Sequence, residues 1–522
     1  MVSRLRLLTL ALLVGAITTA AFADWPQWGR TLGRNPISPS HNLPASFHPG
    51  GKMGGSGAPA HIAWAARLGT WSYATPVVAG GRVFIGANNA TPRNPARQGD
   101  RGVLMCFSAA TGKFLWQFTV PRVAIAGMFC ADYPGLALCS APTVVGNRVY
   151  LVTNRAEVVC LDVAGMANGN DGPFRGEASF YAQPKVHRVK EVAKRPQVTF
   201  VPGAPVRLAP TDADIVWVYD MVRGVGSWPH DATSGSVLVL GDLLYAPTGN
   251  ANDRDHTHVP SPDAPSLIAL DRNTGRLVAT DNAHIGPHVY HGQWSSPSFG
   301  MVRGRPLVFY GGGDGFCYAF DAAPAPGKPG RPGTLKQVWR CDCNPQDLRT
   351  RNGSPMRYNR QYDGPCEIIA TPVLQRDRVY VAIGEDPSHG AGKGCLVCID
   401  ATTGTVKWRF RAMGRSVSTP CVIHNLVFAP DYGGVVHCLD ASTGKVLWTS
   451  DTGAKIWASP LVADGKLYVG TERSEVWVYQ AGPVKKLLSR NRMGGAIHAS
   501  PIAANNVLYI TTQNWLYAIN NR

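Results

Sequence analysis

Residues 418–448 read STPCVIHNLVFAPDYGGVVHCLDASTGKVLW and contain every part of a repeat that recurs along the chain. A small residue and a proline open the repeat, and an apolar run and a turn follow. A second β-type run then ends in Leu-Asp, before Thr-Gly and Trp448. Apolar runs of about five residues between turn residues are typical of short antiparallel strands. Each copy therefore predicts one four-stranded unit.

Seven further copies of this repeat can be recognised. Two open with Ala-Thr-Pro at residues 74 and 370 and end at Trp116 and Trp408. Weaker copies begin at residues 141, 233, 296, 459 and 500, and the copy at 233 lacks the proline. The starts at 418, 459 and 500 are about 40 residues apart, the period of a four-stranded propeller blade.

The last copy is incomplete, because residues 516–520 end it without Thr-Gly or Trp. The missing outer strand is available at residues 61–65, where Trp64 stands in the usual place of the Trp. A closed ring leaves no open seam between its first and last blades. We therefore predict an all-β protein with a single eight-bladed β-propeller of four-stranded antiparallel blades. An N-terminal strand completes the last blade.

The first residues predict export. Arg4 and Arg6 precede an apolar run over residues 7–16, and Ala21-Phe22-Ala23 offers a cleavage site before Asp24. The run is shorter than the roughly 20 residues of a membrane span, although an N-terminal anchor remains the alternative. The predicted organisation is a signal peptide (1–23), a lead-in segment (24–60) and the propeller (61–522), with an insertion at about 164–210. After cleavage we expect no transmembrane segment.

The formal net charge of +17 bears on partners. For a periplasmic or secreted protein it favours an envelope protein or an acidic glycan, and nucleic acid is not expected in that compartment. We expect a monomer.

The repeat resembles the pyrroloquinoline-quinone (PQQ)-type propeller repeat, in which the Thr-Gly turn and the following Trp dock neighbouring blades. The resemblance implies this docking role for six tryptophans: Trp64, Trp116, Trp217, Trp339, Trp408 and Trp448. The family includes quinoprotein alcohol dehydrogenases and the propeller lipoprotein of the outer-membrane β-barrel assembly machine. The opening residues 24–29, DWPQWG, resemble those of exported propellers from environmental bacteria such as planctomycetes.

A working quinoprotein would bind PQQ and calcium, and the resemblance places Asn250 of Thr-Gly-Asn where one calcium ligand stands. The catalytic aspartate of such enzymes comes from a His-Asp-x-Trp-Asp segment. The nearest equivalent here, residues 291–295, reads HGQWS and has neither aspartate. A carboxylate must accept the proton of the alcohol, and Asp231 beside His230 is the alternative source. No cofactor is required by the sequence, and no catalytic residue is assigned.

Residues just before each inner strand are expected to line the mouth of the propeller funnel. They are Trp71, Tyr73, His230, Asp231, Trp294, Glu367, Trp457 and His498. Aromatic faces with a few placed polar groups suit a sugar or a flat ring; the alternative is that these side chains only plug the channel. We therefore favour an exported, non-catalytic binding or scaffold propeller. A PQQ- and calcium-dependent dehydrogenase and an outer-membrane assembly factor are the alternatives.

Overall fold

The computed structural model describes residues 24–51, 58–122, 135–183, 185–192, 195–201, 203–250, 252, 259–359, 361 and 363–521. The predicted signal peptide lies outside these residues. Eight antiparallel blades follow one another along the chain, and the first strands of neighbouring blades contact one another around a central channel. The predicted all-β, eight-bladed propeller is confirmed.

The strands of each blade run outward from the channel in chain order. Blade 1 comprises Val77–Ala79, Arg82–Asn88, Arg101–Ser108 and Phe114–Pro121, and blade 2 comprises Thr143–Val145, Arg148–Val152, Glu157–Asp162 and Ile215–Asp220. Blade 3 comprises Leu238–Leu240, Leu243–Pro247, Leu267–Asp271 and Leu277–Asp281, and blade 4 comprises Ser298–Val302, Arg305–Gly311, Phe316–Asp321 and Gln337–Asp342. Blade 5 comprises Val373–Gln375, Arg378–Ile383, Cys395–Asp400 and Val406–Phe410. Blade 6 comprises Cys421–Ile423, Leu426–Pro430, Val435–Asp440 and Val446–Asp451, and blade 7 comprises Leu461–Ala463, Lys466–Gly470, Glu475–Gln480 and Leu487–Arg492.

Blade 8 is completed by the other end of the chain, as predicted. Its inner strands are Ile502–Ala504, Val507–Thr511 and Trp515–Ile519, and Ile62–Arg67 pairs antiparallel with the last of them. Trp64 lies opposite Ala518 in this pairing. The seam therefore closes with the same ladder of backbone hydrogen bonds that holds the other blades together.

The remaining elements are short and lie outside the regular blades. The strand Ile37–Ser38 pairs parallel with blade 7, Gly333–Leu335 pairs parallel with blade 3, and Lys185–Val192 forms a hairpin with Arg195–Val201 inside the predicted insertion. The other short elements are the strands Thr350–Arg351 and Ser354–Pro355, the helices Glu177–Phe180, Met221–Val225 and Gln346–Arg349, and the 3-10 turns Gly165–Asn168, Gly286–His288 and Pro387–His389. None of the helices in the described ranges has the length and apolar character needed to cross a membrane.

Tryptophans on the outer strands lie against the turns of the following blade. Trp116 donates from Nε1 to the carbonyl oxygen of Val163 over 3.1 Å. A Cβ atom at Gly165 would lie only 2.7 Å from the Trp116 ring, so the turn needs glycine there. The same Nε1 bond is made by Trp64, Trp217, Trp339, Trp408 and Trp448, to the carbonyls of Ala109, Arg272, Ala401, Ala441 and Gly482.

A small residue faces each of these tryptophans across the strand pair. Cys106 lies opposite Trp116 and Cys398 lies opposite Trp408, and both cysteines are fully buried. Residues directly opposite in an antiparallel pair share one face of the sheet. A small buried side chain therefore leaves room for the indole ring to reach the next blade.

Residues 24–38, the axial segment, cross the channel and hydrogen-bond to every blade. The backbone of Trp25 pairs with Val78 of blade 1, and the side chain of Asn35 exchanges two bonds with Val422 of blade 6. The remaining contacts are Pro26 to Val144, Arg34 to Val237, Leu32 to Phe299, Gly33 to Leu374, Pro36 to Val462 and Ser38 to Ala503. One short segment thus ties all eight inner strands together and closes the channel on this side.

Arg34 is the polar centre of the axial segment, with its side chain completely buried. Its guanidinium donates to the carbonyl oxygens of Pro297 at 2.9 Å, and of Trp28 and Val237 at 2.7 Å. Burial lowers the pKa of Arg34 to about 9, which leaves it charged at neutral pH. A buried charge is tolerated because several backbone dipoles replace its water shell.

Three aspartates that precede Thr-Gly turns, Asp271, Asp400 and Asp440, predict a loss of stability in acid. Hydrogen bonds from Ser442 and Thr443 lower the pKa of Asp440 to about 2. Partial burial acts to raise the pKa values of Asp271 and Asp400, yet both are lowered, that of Asp271 by hydrogen bonds in its own turn and that of Asp400 by Lys407 and its own turn. A carboxylate with a lowered folded-state pKa stabilises the fold above its unfolded value of about 4 and loses that contribution as the pH falls.

We therefore expect the free energy of unfolding to fall between about pH 4 and pH 2. Urea denaturation across this range should show a smaller fall for Asp440→Asn than for the wild type. Asp242→Asn is the control, because the Asp242 side chain is 81 % exposed. If the free energy of unfolding falls equally with pH in Asp440→Asn and the wild type, the Asp440 carboxylate does not contribute to the loss of stability in acid.

Candidate functional site

A cavity of about 280 Å³ opens on the channel side opposite the axial segment. Trp28 of the axial segment contributes to its lining and donates from Nε1 to the hydroxyl of Thr371 at 2.8 Å. Connections from all the blades supply the other walls. The cavity is therefore a blind pocket, closed at its inner end by the N-terminal segment.

A ring of hydroxyl groups lines the inner part of the pocket. It comprises Thr75, Ser236, Ser296, Thr371, Thr419, Ser459 and Ser500, which except for Ser236 directly precede a proline. Several of these hydroxyls accept a hydrogen bond from the backbone N–H of the equivalent residue in the preceding blade; Thr419 N, for example, donates to Ser459 Oγ over 2.9 Å. The O–H hydrogens of these side chains can still be donated to a ligand in the pocket.

The structure explains why the repeat begins with a small hydroxyl residue and proline. The hydroxyl joins neighbouring blades at the channel, and the proline, which has no N–H, directly precedes the first strand. In blade 3 the equivalent residue is Ser236, two positions after Ser234 of the sequence-derived start Thr233–Gly235, because the first strand begins only at Leu238.

One wall of the pocket is aromatic. The Tyr73 ring lies 5.3 Å from the Trp457 ring and 4.8 Å from the His498 ring, between centroids. Trp71 stacks on the outer side of Tyr73 at 5.9 Å with an interplanar angle of 13°, and Trp71 is 42 % exposed. Three aromatic side chains thus face the pocket, and Trp71 extends this surface toward solvent.

His498 is held in place by a carboxylate behind it. Its Nε2 lies 3.4 Å from Oε1 of Glu472, and this hydrogen bond lowers the pKa of Glu472. The carboxylate therefore stays ionised and fixes the orientation of the His498 ring against Tyr73 and Trp457.

The opposite wall carries carboxylates. Asp231 and Asp386 line the pocket together with Trp294, whose Nε1 donates to the carbonyl oxygen of Ala232 at 3.0 Å. Oδ2 of Asp231 lies 3.6 Å from Nε2 of His230 and 3.6 Å from Nε2 of His291. This wall is therefore polar and acidic, in contrast to the aromatic wall.

Glu367 lies behind this acidic wall and is completely buried. Its carboxyl group accepts hydrogen bonds from the Tyr358 hydroxyl at 3.1 Å and from Gly292 N at 3.3 Å. Burial raises the pKa of Glu367 well above its usual value. Glu367 therefore supports the wall from inside and does not face a ligand.

The structure places the residues predicted from sequence in three ways. Tyr73, Asp231, Trp294, Trp457 and His498 line the pocket, and Trp71 stands beside it at the mouth. His230, 4 % exposed, and Glu367, 0 % exposed, lie behind the lining, because their side chains turn into the protein between blades.

Sequence reasoning missed Trp28 and the hydroxyl ring. The ring had a signal, since its members stand at one position of the repeat. Trp28 had none, because its place in the pocket depends on where the axial segment crosses the channel.

The sequence matches the family model described as outer membrane protein assembly factor BamB, over residues 56–280 and 332–522. The chain belongs to this family. The BamB family model is one of PQQ-type repeats, which agrees with the resemblance seen in the repeat. No curated protein matches the sequence.

Two solved structures have a similar fold. BamB from Moraxella catarrhalis is 15 % identical with a TM-score of 0.50, and the alignment covers 88 % of this chain and 96 % of that one. A europium-containing methanol dehydrogenase is 13 % identical with a TM-score of 0.57, covering 95 % and 98 %. At these identities the likeness shows the propeller fold alone.

PQQ and calcium do not fit the pocket of this BamB-family chain. PQQ is a tricarboxylate, yet the described lining contains Asp231 and Asp386 and no lysine or arginine. Calcium takes six to eight oxygen ligands, whereas the nearest cluster of candidate ligands offers two histidines and one aspartate. Asn250 is buried away from the lining and donates to the carbonyl oxygens of Ser261 and Ala264.

Proposed function

We propose that this protein is an exported, non-catalytic binding propeller that holds a neutral, hydroxyl-rich ring, such as one sugar unit of a glycan, in the blind pocket. The observation that carries the proposal is the composition of the lining. Aromatic faces stand on one side, carboxylates on the other and hydroxyls at the inner end, with no lysine or arginine among the described lining residues.

Each part of the lining matches one part of a sugar ring. The C–H face of a pyranose packs against aromatic rings such as Tyr73 and Trp457. The sugar hydroxyls can donate to Asp231 and Asp386 and accept from the hydroxyl ring. A volume of about 280 Å³ is near the lower end of ligand pockets, which favours a single ring over a long segment.

Charge selects against acidic ligands inside the pocket. Two carboxylates in a confined cavity repel an anion, because the low-polarity surroundings strengthen the repulsion. The acidic glycan expected from the net charge of +17 would therefore contact the outer surface, and the pocket itself would take a neutral unit.

A protein partner in the envelope is the second candidate. Membership of the BamB family favours it, and the outer edges of blades 6 and 7 expose several apolar side chains. They are Val446, Leu447, Val484, Leu487 and Leu488. Exposed apolar groups clustered on neighbouring elements mark protein-interaction surfaces.

Calorimetric titration with a panel of neutral, acidic and amino sugars tests the pocket. We expect one neutral sugar class to bind with a stoichiometry of one. Trp457→Ala should weaken that binding about tenfold, the loss of one aromatic stacking contact. Trp515→Ala is the matched control, since Trp515 is partly buried on blade 8 outside the pocket lining.

Two results would count against sugar binding in this pocket. One is a panel in which acidic sugars bind and neutral sugars do not. The other is a Trp457→Ala variant that binds as tightly as the Trp515→Ala control.

A further inference from the structure

His230, Asp231 and His291 bring three potential metal-binding atoms together beside the pocket. These atoms all lie within 4.8 Å of one another, and theirs is the one such group found in the described part of the chain. Both histidine Nε2 atoms are 3.6 Å from Asp231 Oδ2. Ligand atoms about 2.1 Å from a tetrahedral metal ion lie about 3.4 Å from one another. The distances from Asp231 Oδ2 to the two histidine nitrogens are close to this value.

The backbone holds Asp231 in position. Asp231 has a φ of 56°, in the left-handed region, and Ala232 N donates to the carbonyl oxygen of His230 at 2.6 Å across it. Trp294 Nε1 then binds the carbonyl oxygen of Ala232. A tight turn of this kind is retained where the surrounding structure determines it, and here it aims the carboxylate at both imidazoles.

A hydrogen-bond chain orients His291. The Tyr358 oxygen accepts from Asp386 N at 3.0 Å and donates to Glu367 at 3.1 Å. His291 Nδ1 lies 3.2 Å from the same oxygen, and this contact fixes the plane of the imidazole ring. Metal-binding histidines are oriented by this kind of outer hydrogen bond.

We propose that His230, Asp231 and His291 bind one divalent transition-metal ion of the zinc class at the wall of the pocket. Two imidazole nitrogens and one carboxylate suit zinc, cobalt(II) or iron(II) and do not suit calcium. Asp231 also lines the pocket, so the open coordination position faces the cavity, where water or a ligand oxygen completes the shell.

The metal alone tests the site, using the whole purified protein after treatment with a chelator. Cobalt(II) absorption should saturate at one equivalent per chain, and zinc should displace cobalt while calcium does not. His291→Ala and Asp231→Asn should abolish the cobalt bands. Tyr358→Phe, which removes only the orienting hydroxyl, should weaken cobalt binding about tenfold or more with the same spectrum.

His424→Ala is the matched control, because His424 is exposed in a turn of blade 6 and its loss should leave cobalt binding unchanged. Circular dichroism of the metal-free variants shows whether they are folded, and zinc should raise the melting temperature of the wild type but not of Asp231→Asn. The absence of cobalt binding by the wild type, or unchanged binding by folded Asp231→Asn, would overturn the proposal.

The two proposals share Asp231, but each has a readout of its own. Trp457→Ala is expected to bind cobalt like the wild type, because Trp457 lies on the opposite wall. Failure of sugar binding with intact cobalt binding would therefore refute only the proposed function, and the reverse result would refute only the metal site.

Discussion

Arg34→Ala is expected to lower the free energy of unfolding by about 3–5 kcal/mol, the effect of breaking a buried, charged hydrogen-bond network. The substitution leaves the carbonyl oxygens of Pro297, Val237 and Trp28 without their donor. These carbonyls belong to blades 3 and 4 and to the axial segment, so the loss also loosens the segment from the channel. Urea denaturation at neutral pH measures the effect.

Two further variants make the Arg34 result specific. Arg303→Ala removes an arginine that is 71 % exposed and should change the free energy of unfolding by less than about 0.5 kcal/mol. The free energy of unfolding of Arg34→Lys should lie between those of the wild type and Arg34→Ala. An ammonium group keeps the charge but lacks the planar guanidinium that reaches several acceptors. If Arg34→Ala is as stable as Arg303→Ala, the axial segment is not a structural part of the propeller.

Trp116→Ala is expected to cost about 3–5 kcal/mol, the range for truncating a large buried aromatic side chain. Trp116 is 2 % exposed and fills the seam between blades 1 and 2. Its loss leaves a cavity against Gly165 and removes the donor to Val163. The shift of the urea midpoint measures the destabilisation.

Trp71→Ala is the control for Trp116→Ala. Trp71 is 42 % exposed and stacks only one face on Tyr73, so its truncation should cost less than about 1 kcal/mol. Equal destabilisation by the two variants would show that the seam contact is not what makes Trp116 important.

Much of the architecture could be predicted from the sequence because each blade is a local structure. Short strands, turns and the Trp after Thr-Gly recur with a period that the chain itself displays, and Trp64 matches the strand missing from the last blade. Strand pairing within a blade joins neighbours in sequence, so the pattern alone specifies it.

The site could be predicted only in part. Tyr73, Trp294, Trp457 and His498 stand at equivalent places in the repeat, and a ring geometry brings equivalent places together. The pattern did not settle the direction of side chains at other positions: Glu367, two residues before the equivalent place, turns inward to Tyr358 and Gly292.

The sequence by itself determined the number of blades, their strand order and the closing strand, since these follow from contacts between residues close along the chain or related by the repeat. Only the tertiary structure decided the path of the axial segment, the inner end of the pocket at Trp28 and the meeting of His230 with His291. The physical reason is that these features depend on single, non-repeating hydrogen bonds between distant residues. Arg34 and Pro297, 263 positions apart, leave no periodic signal of their contact.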